Sequence, residues 1–196
     1  KRRLSFYMSS LFYFYMKINY KHLVQKAHFC GPTSLQMVLF RRGHWVEQEE
    51  LAQLLGARIK NKNIHLFTHE YEVSEDDAGL RLEEFSKAAD FLKEKGLKLE
   101  IIKSTQIKDF KELITNNLEK NNDIIVNFKR AAYDPEKDWG HFSLISAIEN
   151  DELEICDPSY NEKSYWNTPV NKLLEAISDK FDNQERGIII ISKISQ

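Results

Sequence analysis

The segment AHFCGPTSLQMVLF places a cysteine directly before an apolar run with helical spacing. Cys30 is followed by Gly31, which lets a ligand approach the backbone closely, and by Pro32, whose fixed φ suits the first turn of a helix. A thiol at a helix N-terminus can have a lowered pKa, because the positive end of the helix dipole stabilises the thiolate. The position therefore allows two interpretations: a nucleophile for covalent catalysis, or a small buried core residue.

A nucleophilic cysteine needs a base, and His141 in WGHFSLISAIE is the candidate. Asp157 comes at the end of the next predicted strand. If the hairpin turns about Glu149 with an odd number of loop residues, the two side chains share a face and the carboxylate can orient the imidazole. A two-residue loop at 150–151 would place them on opposite faces, leaving an ordinary hairpin.

The remaining candidate residues carry weaker signals. Two histidines, His65 and His69, have helical spacing that could hold a metal, but no further ligand cluster follows, so we expect no metal site. Cys156 is next to Asp157, so its side chain should face the opposite side and pack in the core. Three histidines near Cys30 are expected to be surface or packing residues: His22, His28 and His44. Two tryptophans, Trp139 and Trp166, are expected to line or cover the cleft, with ordinary core packing as the alternative.

The pattern of apolar residues predicts helices in the first half and strands in the second. Residues 57–79 are polar and irregular, which is typical of a functional loop. Helices are predicted over 32–42, 44–56, 80–96, 104–120 and 168–177, and strands over 97–102, 123–130, 141–149, 152–157 and 187–193. The predicted fold class is α+β, with a helical part that carries Cys30 and an antiparallel sheet whose interior strand is the apolar run GIIIIS.

Length and composition limit the function classes. With 196 residues and a net charge of −2, the chain is sized for a single domain and has no excess positive charge to attract nucleic acid. Two distant cysteines fit a reducing compartment, so we expect a cytoplasmic protein. The expected organisation is an aromatic-rich N-terminal extension, 1–15, and one domain, 16–196, with a helical part over 16–96 and a sheet part over 97–196.

The first residues, KRRLSFYMSSLFYFYM, combine a basic start with crowded aromatic side chains. The apolar stretch is too short to span a bilayer and has no small-residue cleavage pattern. Three interpretations stay open: a packed or self-associating element, a membrane contact through residues 4–15, or leader residues ahead of Met16.

Together the segments CGPTSLQMVL, QEELAQLLG and GHFSLI, with an acidic DP, resemble the C39-like peptidases of the papain-like cysteine peptidase superfamily. The resemblance implies a papain-like fold, with Cys30 as nucleophile, His141 as general base and then acid, and Asp157 as orienter. It also implies that Gln25 helps to stabilise the oxyanion together with the backbone N–H of Cys30; the alternative is a surface glutamine.

A second resemblance is to the phytochelatin synthases, transpeptidases of the same superfamily, through STQIKDF, IIVNFKR, GHFSLI and RGIIIIS. Both resemblances imply acyl transfer from a peptide or amide substrate through a thioester, with no metal or organic cofactor. We expect a C39-like hydrolase first. The alternatives are a phytochelatin synthase-like peptide transferase and an inactive peptide-binding domain of the same fold.

Overall fold

The computed structural model describes residues 17–133, 135–137, 139–159, 164–178 and 185–194. The extension expected over residues 1–15 lies outside the described residues. Among the residues that are described, no helix is long and apolar enough to cross a membrane.

Five α-helices and eight strands follow one another along the described chain. The helices are α1 (Cys30–Arg41), α2 (Gln48–Leu55), α3 (Ala89–Glu94), α4 (Phe110–Glu119) and α5 (Val170–Ser178). The strands are β1 (Arg58–Ile59), β2 (Glu72–Val73), β3 (Leu97–Lys103), β4 (Asp123–Lys129), β5 (Gly140–Glu149), β6 (Glu152–Cys156), β7 (Tyr165–Pro169) and β8 (Gly187–Lys193).

Six of the strands form one antiparallel sheet in the order β3-β8-β4-β5-β6-β7. This confirms the predicted α+β class and the interior position of the GIIIIS strand, which is β8. The first residue of β8 is a glycine, Gly187, and a Cβ at this position would lie 2.1 Å from the carbonyl oxygen of Ile102 on β3, so no larger residue fits there. Helix α1 is buried over most of its length and contacts β5 and β4.

Three predicted helices are shorter than expected, and the one expected over 44–56 forms only as α2 (Gln48–Leu55). Over 80–96, a 3₁₀ segment (Leu82–Ala88) precedes α3, and its buried residues Leu82, Phe85 and Ala88 recur every third position, the period of a 3₁₀-helix. Over 104–120, α4 begins only at Phe110, because the Asp109 carboxylate accepts the backbone N–H of Glu112 at 2.8 Å and caps the helix there.

The sequence pattern also missed three strands. Strand β7 occupies residues 165–169, so the helix expected from 168 begins at Val170 instead. The segment expected to be irregular, 57–79, contains the short parallel pair β1 and β2 and a 3₁₀ turn (Asn61–Leu66). Tertiary pairing overrides weak local signals in both places.

The hairpin between β5 and β6 differs from the expected odd loop about Glu149. Its loop has two residues, Asn150 and Asp151, both with positive φ (47° and 67°), and Glu149 pairs with Glu152. A β-bulge between Ile145 and Ala147 then inserts one extra residue into β5. Side chains alternate between the two faces of a strand, so the extra residue, Ser146, reverses the alternation for the part of β5 that precedes it. His141 therefore lies on the same face of the sheet as Asp157, as expected.

Candidate active site

Cys30 is the first residue of α1, and the start of this helix has no side-chain cap. The first backbone hydrogen bond of the helix runs from Thr33 N to Phe29 O (2.9 Å). The N–H groups of Cys30 and Gly31 come before it and therefore have no acceptor within the helix. Phe29 is fully buried, and its ring packs against those of Phe67 and Tyr71 at centroid distances of 4.8 and 5.4 Å. The fold thus fixes a partly exposed thiol at the positive end of a helix.

His141 and Asp157 meet in the interior, next to this thiol. Nε2 of His141 donates to Oδ1 of Asp157 at 2.7 Å, and the two residues are 3% and 2% exposed. Burial, the largest single influence, lowers the pKa of His141, but the charge and hydrogen bond of Asp157 and a hydrogen bond with Cys30 raise it to about 9. The geometry favours an imidazolium that is paired with the Asp157 carboxylate.

The Asp157 carboxylate accepts further donors. Both the backbone N–H (2.9 Å) and the hydroxyl (2.7 Å) of Ser159 donate to Oδ1, and the indole of Trp166 donates to Oδ2 (3.2 Å). Burial raises the pKa of Asp157, but His141 and Ser159 outweigh it and hold this pKa well below its usual range. The carboxylate therefore stays ionised at neutral pH.

Sequence reasoning missed two residues of this network, Arg130 and Ser159. Arg130 follows β4 and is buried, and its guanidinium donates to the Ser159 hydroxyl at 2.5 Å. The order Asp-Pro-Ser could have revealed Ser159, because an aspartate often accepts the backbone N–H two positions later. Nothing in the sequence distinguishes Arg130 from a surface cation at a strand end.

Aromatic rings enclose one side of the imidazole. Phe128 meets His141 edge-on at a centroid distance of 5.5 Å, and Trp166 packs against Tyr133 at 4.7 Å. Trp166 thus lines the site, as expected. Trp139 is 48% exposed and contributes its backbone carbonyl, which accepts the N–H of Arg130 at 2.9 Å.

Gln25 lies beside the segment that carries Asp157. Its backbone N–H donates to the carbonyl of Pro158 at 2.8 Å. The side-chain oxygen Oε1 is buried and has no hydrogen-bond partner among the described residues. A tight turn closed by Phe29 N and Lys26 O (3.1 Å) leads from Gln25 to the cysteine, and His28 in this turn has φ 67°.

His22 contacts the backbone carbonyl of Asp157 at 2.7 Å, whereas the side chains of Cys156, His28 and His69 lie apart from the His141–Asp157 pair. Cys156 is fully buried, its Sγ contacts Sδ of Met37 at 3.9 Å, and burial raises the pKa of its thiol to about 12. His69 contacts the Glu49 carboxylate, and His28 contacts Asn63. Within the described part of the chain, no three His, Cys, Asp or Glu side chains are grouped to hold a metal ion.

A cysteine-bearing helix packed on an antiparallel sheet that holds a His–Asp pair defines a papain-like fold, and solved structures agree with this. The chain is similar to a structure described as a C39-like peptidase from Bacillus anthracis (TM-score 0.61, 15% identity, 91% of this chain and 96% of that chain). It is also similar to the peptidase domain of Streptococcus ComA, a bi-functional ABC transporter involved in quorum sensing (TM-score 0.56, 17% identity, 89% and 99%).

The family follows from the sequence. The model of the phytochelatin synthase family matches residues 6–188, so the chain belongs to the phytochelatin synthase family. No curated protein matches the chain. Family and fold confirm both resemblances, and they support cysteine-dependent acyl transfer on peptides as the general activity.

Proposed function

We propose that the protein transfers the acyl group of a peptide or amide substrate through a thioester on Cys30. The observation that carries the proposal is the chain of contacts at the start of α1: the Cys30 thiol on His141, and His141 on the buried Asp157 carboxylate. Such an arrangement supplies a thiolate and a proton donor together.

The reaction has two balanced halves. The thiolate attacks the carbonyl carbon, and the resulting oxyanion is stabilised by the N–H of Cys30 and the side-chain amide of Gln25. As the C–N bond breaks, the His141 imidazolium gives its proton to the leaving amine, which leaves a thioester and a neutral imidazole. His141 then takes a proton from the attacking acceptor, the C–S bond breaks, and the thiolate–imidazolium pair returns.

The acceptor decides the kind of enzyme: water gives hydrolysis and an amine gives transpeptidation. We propose that the acceptor is a peptide amine rather than water. The match to the phytochelatin synthase family rests on sequence over residues 6–188, whereas the similarity to C39-like peptidases rests on the fold alone. Glutathione is tested first because the chain belongs to the phytochelatin synthase family, although its Cys-Gly-Pro-Thr segment departs from the cysteine segment of that family. We also propose a reducing, cytoplasmic location, since Cys30 has to remain a free thiol.

Alkylation and turnover by the full-length protein test the proposal. We expect iodoacetamide to label Cys30 rapidly and Cys156 very slowly, as read by peptide mass spectrometry. With glutathione we expect release of glycine, which Cys30→Ala abolishes and the control Cys156→Ala retains. Equal, slow labelling of both cysteines without product would favour the alternative, a binding domain that lacks turnover.

A further inference from the structure

The hydroxyl of Ser159 lies between two charged groups, the Asp157 carboxylate and the Arg130 guanidinium, which form only a long ion pair with each other. It donates to Oδ1 of Asp157 at 2.7 Å and accepts from Nη1 of Arg130 at 2.5 Å, whereas Arg130 and the carboxylate are 3.8 Å apart. We propose that Ser159 is a positioning residue that holds the Asp157 carboxylate on His141 and keeps the Arg130 guanidinium at ion-pair distance, short of a direct hydrogen bond with that carboxylate. The inference rests on the proposed use of the Cys30–His141 pair and concerns its tuning.

Ser159 fixes the orientation of the carboxylate. Oδ1 of Asp157 receives the imidazole N–H of His141 and both donors of Ser159, its backbone N–H and its hydroxyl. Two donors from one residue define the direction of the oxygen that faces the imidazole. Because the hydroxyl hydrogen is used on Asp157, its oxygen is left to accept the Arg130 N–H.

Arg130 competes with His141 for the same negative charge. It is buried, and Nη1 lies 3.4 Å from Nε2 of His141, so a small movement would bring it onto the carboxylate. A direct arginine–carboxylate pair would be shorter and stronger than the present contact through a neutral hydroxyl. It would take charge from the imidazolium, whose protonated state would then be less favoured.

Among the described residues, other ionisable groups near the pair come from other elements, and the proposal leaves them in place. They include the Cys30 thiol that hydrogen-bonds to His141, the Arg186 guanidinium beside Gly140, and the His22 ring on the backbone carbonyl of Asp157.

A direct titration of His141 tests this without requiring turnover. The full-length protein is labelled with ¹³Cε1-histidine, the His141 resonance is assigned with His141→Gln, and its protonation midpoint is measured by NMR. In Ser159→Ala the guanidinium loses the Ser159 hydroxyl as an acceptor, so its 3.8 Å ion pair with Asp157 can shorten to a direct hydrogen bond. We expect the midpoint to fall by about one pH unit, about a tenfold loss of proton affinity.

Three further variants define the cause. Ser159→Thr keeps the hydroxyl and should keep the wild-type midpoint. Ser192→Ala, on β8, is the matched control because Ser192 and Ser159 are both 8% exposed. In the double variant Ser159→Ala with Arg130→Met, the midpoint should return to the wild-type value or above, because the competing cation is gone.

An unchanged or raised midpoint in Ser159→Ala would overturn the proposal. If that variant does not fold, Arg130→Met alone decides, since removing the cation should raise the midpoint and an unchanged value would again overturn it. A protein that shows these shifts but no acyl transfer would refute the proposed function and leave the role of Ser159 standing.

Discussion

At the scale of single residues, the site depends on one buried carboxylate. Asp157 and His141 are almost wholly buried, and an isolated charge is costly in the protein interior because it loses its contacts with water. The cost is offset by their mutual hydrogen bond and by the two donors of Ser159 and the indole of Trp166. The Cys30 thiol, which hydrogen-bonds to His141, therefore meets a cation with a fixed orientation.

We expect Asp157→Asn to destabilise the protein in a pH-dependent way. The pKa of His141 is raised from about 6.5 to about 9, so its share of stability is complete below pH 6.5 and is lost as pH rises through 9. The pKa of Asp157 is lowered, so its share is present above about pH 4 and is lost on acidification. The stability deficit of the variant should be largest between these limits, about 2 kcal/mol.

Urea unfolding at pH 5.5, 7.5 and 9.5 measures this, with Asp76→Asn, an exposed aspartate, as the control. A deficit that grows toward pH 9.5 would contradict the assigned pair. Acyl transfer by Asp157→Asn should be reduced less than by Cys30→Ala, because the amide oxygen can still accept the imidazole N–H.

The sequence predicted which residues meet but not how the network is completed. Cys30, His141 and Asp157 could be found because their residue types and strand positions are informative. The order Asp-Pro-Ser could have suggested Ser159, but Arg130 could not be found, because an arginine after a strand is ordinary in exposed turns. Their burial depends on tertiary packing that no local pattern encodes.

At the scale of elements, the hairpin of β5 and β6 shows the same limit. The expected odd loop and the observed two-residue loop with a bulge place His141 and Asp157 on one face by different routes. The positive φ values of Asn150 and Asp151 suit the tight turn. The bulge is stabilised from outside the hairpin: the N–H of Ile18 donates to the carbonyl of Ser146 at 2.7 Å.

The loop over residues 57–79 is anchored to α2 through Glu49. This buried carboxylate accepts the backbone N–H and hydroxyl of Thr68 (3.0 and 2.8 Å), and it contacts His69 and Lys26. Burial raises the pKa of Glu49, but these donors lower it to about 2, so the anchor is charged under ordinary conditions. The loop also supplies Phe67 and Tyr71, which pack on Phe29 directly before the cysteine.

We therefore expect Glu49→Gln to release this loop. The variant should lose about 1–3 kcal/mol of unfolding free energy and become sensitive to trypsin at Lys60 and Lys62. Limited proteolysis with mass spectrometry reads the cleavage sites, and the neighbouring exposed residue gives the control, Glu50→Gln. Equal protection of the loop in both variants would show that Glu49 is not its anchor.

At the scale of the whole molecule, the helical part and the sheet share one hydrophobic core. A single cluster of buried residues runs from Ile18 ahead of α1, through Leu35 and Leu39 within it, to Leu144 on β5 and Ile191 on β8. Cys156, at the end of β6, belongs to this cluster and contacts Met37 of α1. Cys30 and His141 therefore come from two parts of the chain, α1 and the sheet, whose apolar surfaces are buried against each other in this cluster.

A shared core implies that the two parts unfold together, although chains longer than about 150 residues often unfold in stages. We expect one transition in urea, with the same midpoint from far-ultraviolet circular dichroism and from tryptophan fluorescence. Alkylation of Cys156 in Cys30→Ala should begin in that same transition, because this thiol becomes accessible only when α1 separates from β6. Two separated midpoints, with Cys156 still protected after the helical signal is lost, would instead show that the sheet folds independently and that the site forms when two units dock.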